Sequence, residues 1–225
     1  MRPRLDRVML TTLGAAFIAA PSAPAQRGLD FVPFAGFYAP TTNMMNPVFP
    51  GVPAMTQRSS IILGGRVTWW LRSRVGIEGT LAYAPSDVNP AATYDCCNAA
   101  HVITASARVL APVLFVGGSP LLRVGGGMGV VSHGGRAYAN TSGATSIAGI
   151  ASAGMALRLG PTPLMLRLDA EDYMFNAHLG AQPGCDRGGY TGFCGQLLRA
   201  PTAFKPQFQN DVVLSVGLAF AAGRR

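Results

Sequence analysis

The sequence predicts an all-β fold: an eight-stranded antiparallel up-and-down transmembrane β-barrel that follows a cleavable export segment. Three observations predict it. First, of 225 residues 49% are hydrophobic and only 12% charged, with 28 Gly and 17 Pro. Such a chain is too apolar for disorder. It also falls well short of the roughly 25–35% charged residues of a soluble surface, so its apolar area must be hidden in a core, an interface or lipid. Second, hydrophobicity alternates with a period of two in eight segments, as pleated strands require. Third, no stretch beyond the export segment reads as a transmembrane helix, and a chain that meets hydrocarbon without helices satisfies its backbone only as a closed barrel.

Residues 1–25 read as a signal peptide. Arg2, Arg4 and Arg7 make a positive start, Val8 to Ala20 an apolar stretch, and Ala23-Pro24-Ala25 a small-x-small cleavage pattern. The apolar stretch is shorter than the roughly 20 residues of a spanning helix. Residues 26–225 then form one domain, because no linker or composition step divides them. Ala137 to Leu157 is uncharged, but Asn140, Thr141, Ser142, Thr145, Ser146 and Ser152 make it a poor span.

The first strand runs from about Leu29 to Ala39, with Asp30 and Tyr38 on one face. Ile61, Leu63, Val67, Trp69 and Leu71 then alternate with Ile62, Gly64, Arg66, Thr68 and Trp70. Arg72-Ser73-Arg74 turns the chain into Val75, Ile77, Leu81 and Tyr83, which face away from Gly76, Glu78, Thr80 and Ala82, so the two runs form a hairpin. Ile103, Ala105, Ala107 and Val109 alternate with Thr104, Ser106 and Arg108, and Pro112 to Pro120 reads as a turn. Leu122, Val124, Met128 and Val130 follow, opposite Arg123, Gly125, Gly127 and Gly129. The run Val124 to Gly129 fits no G-x-G-x-x-G spacing and reads as a strand with small lumen-facing residues. Ile147, Ala151, Ala153, Met155 and Leu157 oppose Ser152, Gly154 and Arg158. Leu164, Leu166 and Leu168 oppose Arg167, Asp169 and Glu171. Gly160-Pro161-Thr162-Pro163 stops both of these strands. Val212, Leu214, Val216, Leu218 and Phe220 oppose Asp211, Ser215, Gly217 and Ala219 in the last one.

Connections alternate between short turns near 73, 116 and 161 and longer segments near 40–58, 86–100, 132–145 and 177–206. That is the asymmetry of an outer-membrane barrel with short periplasmic turns and long external loops. A soluble ligand-binding barrel has the same period, but it needs a charged outer face. Here each strand has one wholly uncharged face, which suits lipid. The other face sends Arg66, Glu78, Arg108, Arg123, Arg158, Arg167, Asp169, Glu171 and Asp211 into the lumen. Eight strands leave an interior that side chains fill, so these charges are expected to pair as a structural salt-bridge network and not to line a transport path.

The signal peptide, the alternating strands and the closing segment Asp211 to Phe220 resemble the small outer-membrane β-barrel proteins, the OmpA-like/OmpX-like group, over essentially the whole mature chain. The resemblance implies a location in the cell outer membrane, with lipid and the barrel assembly machinery as partners. Phe220 resembles the terminal aromatic of the assembly signal, although residues 221–225 follow it here. Trp69, Tyr83 and Phe220 are placed in interfacial girdles.

Chemistry beyond the scaffold is sparse. Cys96 and Cys97 are adjacent, and Cys185 and Cys194 lack zinc-site spacing, so no metal is expected. In an oxidising compartment they read as disulfides. Cys185–Cys194 is the preferred bridge, and the partners of Cys96 and Cys97 stay open. His101, His133 and His178 lie near strand ends, and Ser132, His133, Asp172 and His178 are types a rim-located lipid-modifying enzyme uses. No G-x-S-x-G or H-E-x-x-H accompanies them, and loop-end polar residues are the plainer explanation. The arginines are scattered, so the net charge of +8 marks no nucleic-acid surface. The expectation is a non-enzymatic, cofactor-free barrel with a structural or surface-interaction role carried by its external loops, whose partner the sequence does not name. The alternatives are a narrow pore for small solutes, the rim enzyme and the soluble barrel.

Overall fold

The computed structural model describes residues 28–44, 56–72, 75–89, 99–116, 119–138, 141–142, 144–160, 162, 164–181 and 207–222. The predicted signal peptide and all four cysteines lie outside the described residues. Eight long strands build the molecule: β1 (Gly28–Pro40), β2 (Ser60–Arg72), β3 (Val75–Asn89), β4 (Ala99–Val116), β5 (Ser119–Gly135), β6 (Thr145–Arg158), β7 (Leu164–Ala177) and β8 (Gln207–Ala222). Each pairs antiparallel with the next in sequence, and β1 pairs with β8, from Leu29↔Ala222 to Pro40↔Asp211. The sheet is therefore closed, which removes every free edge. No described helix is long and apolar enough to cross a membrane.

Burial alternates residue by residue, most cleanly in β3 and β7. This is why one face of each strand is apolar. Phe31, Ile61, Leu63, Leu81, Met128, Ile147 and Leu214 stand exposed on the outside, while Arg66, Thr68, Glu78, Arg167 and Glu171 on the opposite face are buried inside. The molecule is thus inverted relative to a soluble protein, with an apolar exterior and a charged centre. An exposed apolar surface of this extent marks contact with lipid or a partner.

The predicted strands are found, but three run further than the sequence indicates. Pro112 to Pro120 is not a turn: β4 continues to Val116 and β5 begins at Ser119. Proline lacks a ladder donor, and the strand absorbs this at the register shifts between Pro112, Leu114 and Phe115. Likewise β3 passes through Pro85 to Asn89. The strand ends Arg72 and Val75, Val116 and Ser119, and Arg158 and Leu164 lie at one end, the turn end, with Gly28 and Ala222. The connections after β1, β3, β5 and β7 lie at the other, the loop end. There the two-residue strand Thr56–Gln57 pairs with Val88 and Asn89, and Thr141–Ser142 pairs with Gly180 and Ala181. At the end of β5, Gly135 adopts φ 100°, where an added Cβ would lie 2.6 Å from the carbonyl oxygen of Ala99, so this exit requires glycine.

Candidate functional site

The lumen has two zones. Toward the turn end, four guanidinium groups and three carboxylates from β2, β3, β4, β5 and β7 meet in one buried network. Glu78 and Arg108 are cross-strand partners on β3 and β4. Glu78 accepts hydrogen bonds from Arg108 Nε at 2.9 Å and from Arg108 Nη2, from Arg167 Nη2 at 2.9 Å and from Arg167 Nη1, and from the Thr68 hydroxyl. Glu171 accepts from Arg66 Nη2 at 2.5 Å, Arg66 Nε at 3.1 Å, Arg108 Nη2 at 2.8 Å and the Tyr173 hydroxyl at 2.9 Å. Asp169 accepts from Arg167 Nε at 2.7 Å and Arg66 Nη1 at 3.3 Å, with Arg123 Nη2 at 3.8 Å. Such charges persist out of water only when paired and hydrogen-bonded on several sides, as Arg66, Arg167, Glu78 and Glu171 are here, whereas Arg123 Nε and Nη2 and Arg108 Nη1 are buried without a hydrogen-bond partner.

Neighbouring side chains shape the network. Gly154 leaves room for the Asp169 carboxylate, because a Cβ there would lie 2.2 Å from its Oδ1. Ser215 Oγ accepts from Arg66 Nη2 at 2.8 Å, and the Arg66 guanidinium lies 3.8 Å from the Phe34 ring centroid. Below the network Trp70 Nε1 donates to Asp30 Oδ2 at 2.7 Å. Asp30 is also near enough to Arg123 for the two charges to attract.

Toward the loop end the interior turns apolar. Phe34, Ile62, Val102, Val131, Ile150, Phe175 and Val213 fill it, and Tyr38, Met44 and Tyr138 lie buried with them. Polar latches cross this zone. The Tyr38 hydroxyl donates to Asp211 Oδ2 at 2.5 Å. Gln209 Oε1 accepts from Thr42 at 2.7 Å while its Nε2 donates to the carbonyl of Asn43. The Tyr138 hydroxyl, in the 3-10 turn Arg136–Tyr138, donates to Gln57 Oε1. Burial pushes the Tyr138 phenol well above its usual pKa, so it stays a neutral donor. The ring of His133 packs between Tyr138 and Phe175, with Nδ1 3.3 Å from the carbonyl of Ala144.

Of the nine residues assigned to the lumen network, Arg66, Glu78, Arg108, Arg123, Arg167, Asp169 and Glu171 meet in it. Arg158 does not: it shares their strand parity but stands exposed at the turn end of β6, beyond the enclosed volume. Asp211 is inside, yet it pairs with Tyr38 and not with an arginine. Asp30, Thr68, Tyr173 and Ser215 join without having been singled out. Asp30 was legible from its place on the inward face of β1. Trp69, Tyr83 and Phe220 all face outward and are exposed.

Ser132, His133, Asp172 and His178 do not converge. Ser132 Oγ lies on the outer face, 2.9 Å from Thr145 Oγ1. His133 is buried inside, and Asp172 is on the outer face of β7. His178 is exposed past β7, with Nδ1 3.0 Å from the carbonyl of Asn176. Among the described residues no cluster of His, Cys, Asp or Glu could hold a metal.

A closed eight-stranded barrel with an apolar exterior, a charged lumen, short turns at one end and longer connections at the other defines a small outer-membrane β-barrel. Two solved structures share the architecture. The outer membrane protein OprG from Pseudomonas aeruginosa matches over 88% of this chain and 98% of its own, at a TM-score of 0.53 and 13% identity. The outer membrane protein AlkL, determined in lipid bilayers, matches over 90% of this chain and 94% of its own, at a TM-score of 0.56 and 14% identity. At these identities the likeness is one of fold. No protein-family model matches the sequence, and no curated protein matches it either.

Proposed function

We propose that the chain is an integral outer-membrane barrel with a closed lumen, whose working surface is its loop end, and that its role is structural or surface-interactive and non-enzymatic. The observation that carries this reading is the buried Arg–Glu–Asp network, which joins four of the eight strands by hydrogen bonds, and a fifth through Arg123 at 3.8 Å from Asp169, across the interior where a pore would need space. The apolar zone filled by Tyr38, Tyr138 and Phe175 adds a second obstruction above it. The dispersal of Ser132, His133, Asp172 and His178 supports a role without catalysis. The likeness to OprG and AlkL supports the outer membrane as the location, with the barrel assembly machinery as the partner in biogenesis.

The test is single-channel recording on the full chain in planar bilayers. No steady conductance is expected from the wild type. A sustained open level that Glu78→Ala alters would overturn the closed-lumen reading in favour of a narrow pore for small solutes.

A further inference from the structure

His133 is two residues from the end of β5, a strand of 17 residues, whereas about 9–11 suffice to span a membrane. On the outer face beside it the ladder partners Val130 and Ile147 are apolar, and Ser132, Gly134 and Thr145 follow toward the loop end. His133 thus lies above the apolar band, inside the mouth of the barrel. It is 4% exposed, and its ring centroid stands 5.6 Å from that of Tyr138 and 5.9 Å from that of Phe175. Its backbone N–H donates to the carbonyl of Ala144 at 2.8 Å, and Nδ1 lies 3.3 Å from the same oxygen. A carbonyl only accepts, so Nδ1 carries the proton of the neutral ring and Nε2 is its bare lone pair. That Nε2 is buried without a hydrogen-bond partner. The groups around the ring are Val102 across the ladder on β4, Phe175 on β7, Ala144 before β6, and Tyr138 in the turn Arg136–Tyr138, whose phenol stays neutral. The charge of Asp211 is felt by that phenol and not by the imidazole.

We propose that His133 is a proton-operated lock on the loop-end mouth: the neutral imidazole holds the turn Arg136–Tyr138 across the lumen, and proton uptake releases it. The proposal deepens the reading that the loop end is the working surface, and rests on it. A proton added at Nε2 places a cation among Phe175, Tyr138 and Val102 with no acceptor for the new N–H, a burial that costs far more than the ring packing returns. The ring leaves the site to reach water. Its departure removes one wall of the Tyr138 pocket and loosens the backbone bond to Ala144, so the Tyr138 hydroxyl loses its hold on Gln57. Burial pushes the imidazole down to about 4 in the closed form. The released ring takes its proton near the ordinary histidine value of about 6.5. Opening therefore becomes easier as pH falls below that value, until the closed form is protonated too. The charged network below the mouth does not touch His133 and stays in place.

The test is hydrogen–deuterium exchange of the full chain folded in phosphatidylcholine vesicles, read by mass spectrometry on peptides covering 131–145 at pH 7.5 and pH 5. Each rate is divided by the intrinsic rate of an unstructured peptide at the same pH, so that the quotient reports opening. Wild-type protection in this stretch is expected to fall on the order of tenfold at pH 5, while peptides around Glu78 and Glu171 keep theirs. His133→Phe keeps a ring between Tyr138 and Phe175 without a proton site, and its protection should be the same at both pH values. His133→Asn, which keeps a donor for the Ala144 carbonyl, should be less protected than wild type at pH 7.5 and equally insensitive to acid. His101→Gln, on the outer face, should retain the acid response. Equal wild-type protection at the two pH values overturns the proposal. So does an acid response that survives in a folded His133→Phe or His133→Asn barrel, that disappears in His101→Gln, or that spreads to the peptides around Glu78 and Glu171. Failure of the closed-lumen reading would show separately, as a sustained open level at pH 7.5 in planar bilayers.

Discussion

Glu78 receives hydrogen bonds from two arginines and a threonine, so deleting its carboxylate leaves Arg108 and Arg167 buried with too few acceptors. Breaking a buried pair by removing one partner costs about 3–5 kcal/mol. Glu78→Ala should therefore lower unfolding stability by about that amount, measured by urea titration in vesicles. Glu78→Gln, which keeps acceptor and shape but loses the charge, should fall between it and wild type. An unchanged midpoint for Glu78→Ala would show that the network does not hold the lumen together. Gly154 tests the same network without touching a charge. Gly154→Val places side-chain atoms where Asp169 Oδ1 now lies, at 2.2 Å from the Cβ position, and overpacking of this kind costs about 1–3 kcal/mol. Gly149→Val, on the outer face of the same strand, should be close to neutral, because only the Met174 carbonyl oxygen, at 3.9 Å, approaches its Cβ position.

Among the described residues, the connection after β5 is held by the Tyr138 hydroxyl on Gln57, by the backbone bond from His133 N to the carbonyl of Ala144 at 2.8 Å, and by the pairing of Thr141–Ser142 with Gly180 and Ala181. Removing a buried hydroxyl from such a pair costs about 1 kcal/mol. Tyr138→Phe should thus speed proteolysis of the 136–144 segment several-fold while leaving global unfolding nearly unchanged. Equal slowing or speeding of both would mean that the latch serves the whole barrel. Strand parity was fully legible because the period of two is dictated by the pleat, and one glance at Ile77–Glu78–Gly79 assigns both faces. Strand ends were not. Pro112 reads as the start of a turn in one dimension, yet the register shifts beside it accommodate it within the strand, and β3 likewise runs on through Pro85. The salt-bridge partners were legible only as a set. Whether Glu78 meets Arg108, Arg167 or Arg66 depends on barrel tilt and side-chain reach across the lumen, which no local pattern encodes. Arg158 was misplaced for the same reason: parity gives the face but not the height along the barrel.

For the whole molecule, closure predicts a physical signature. Every strand has two neighbours, so detergent finds no edge at which to begin unpairing the sheet. Unboiled protein should migrate differently from boiled protein on electrophoresis in dodecyl sulfate. Identical mobility would contradict a closed barrel with this lumen. The architecture was legible from alternation and loop asymmetry alone, whereas the division of the interior into a charged lower zone and an apolar upper zone was not. That division comes from which residues share a height, as with Phe34 and Ile62 above and Arg66 and Asp169 below.

The pairing of Leu29 with Ala222 sets both ends of the described barrel side by side at the turn end. Chain order is therefore not what closes the ring: any of the eight junctions could serve as the break. A circular permutant that joins these two ends through a short peptide and opens between β3 and β4 should form the same cylinder. Its new ends would emerge at the opposite mouth, where a reporter fused to them would sit among the long loops.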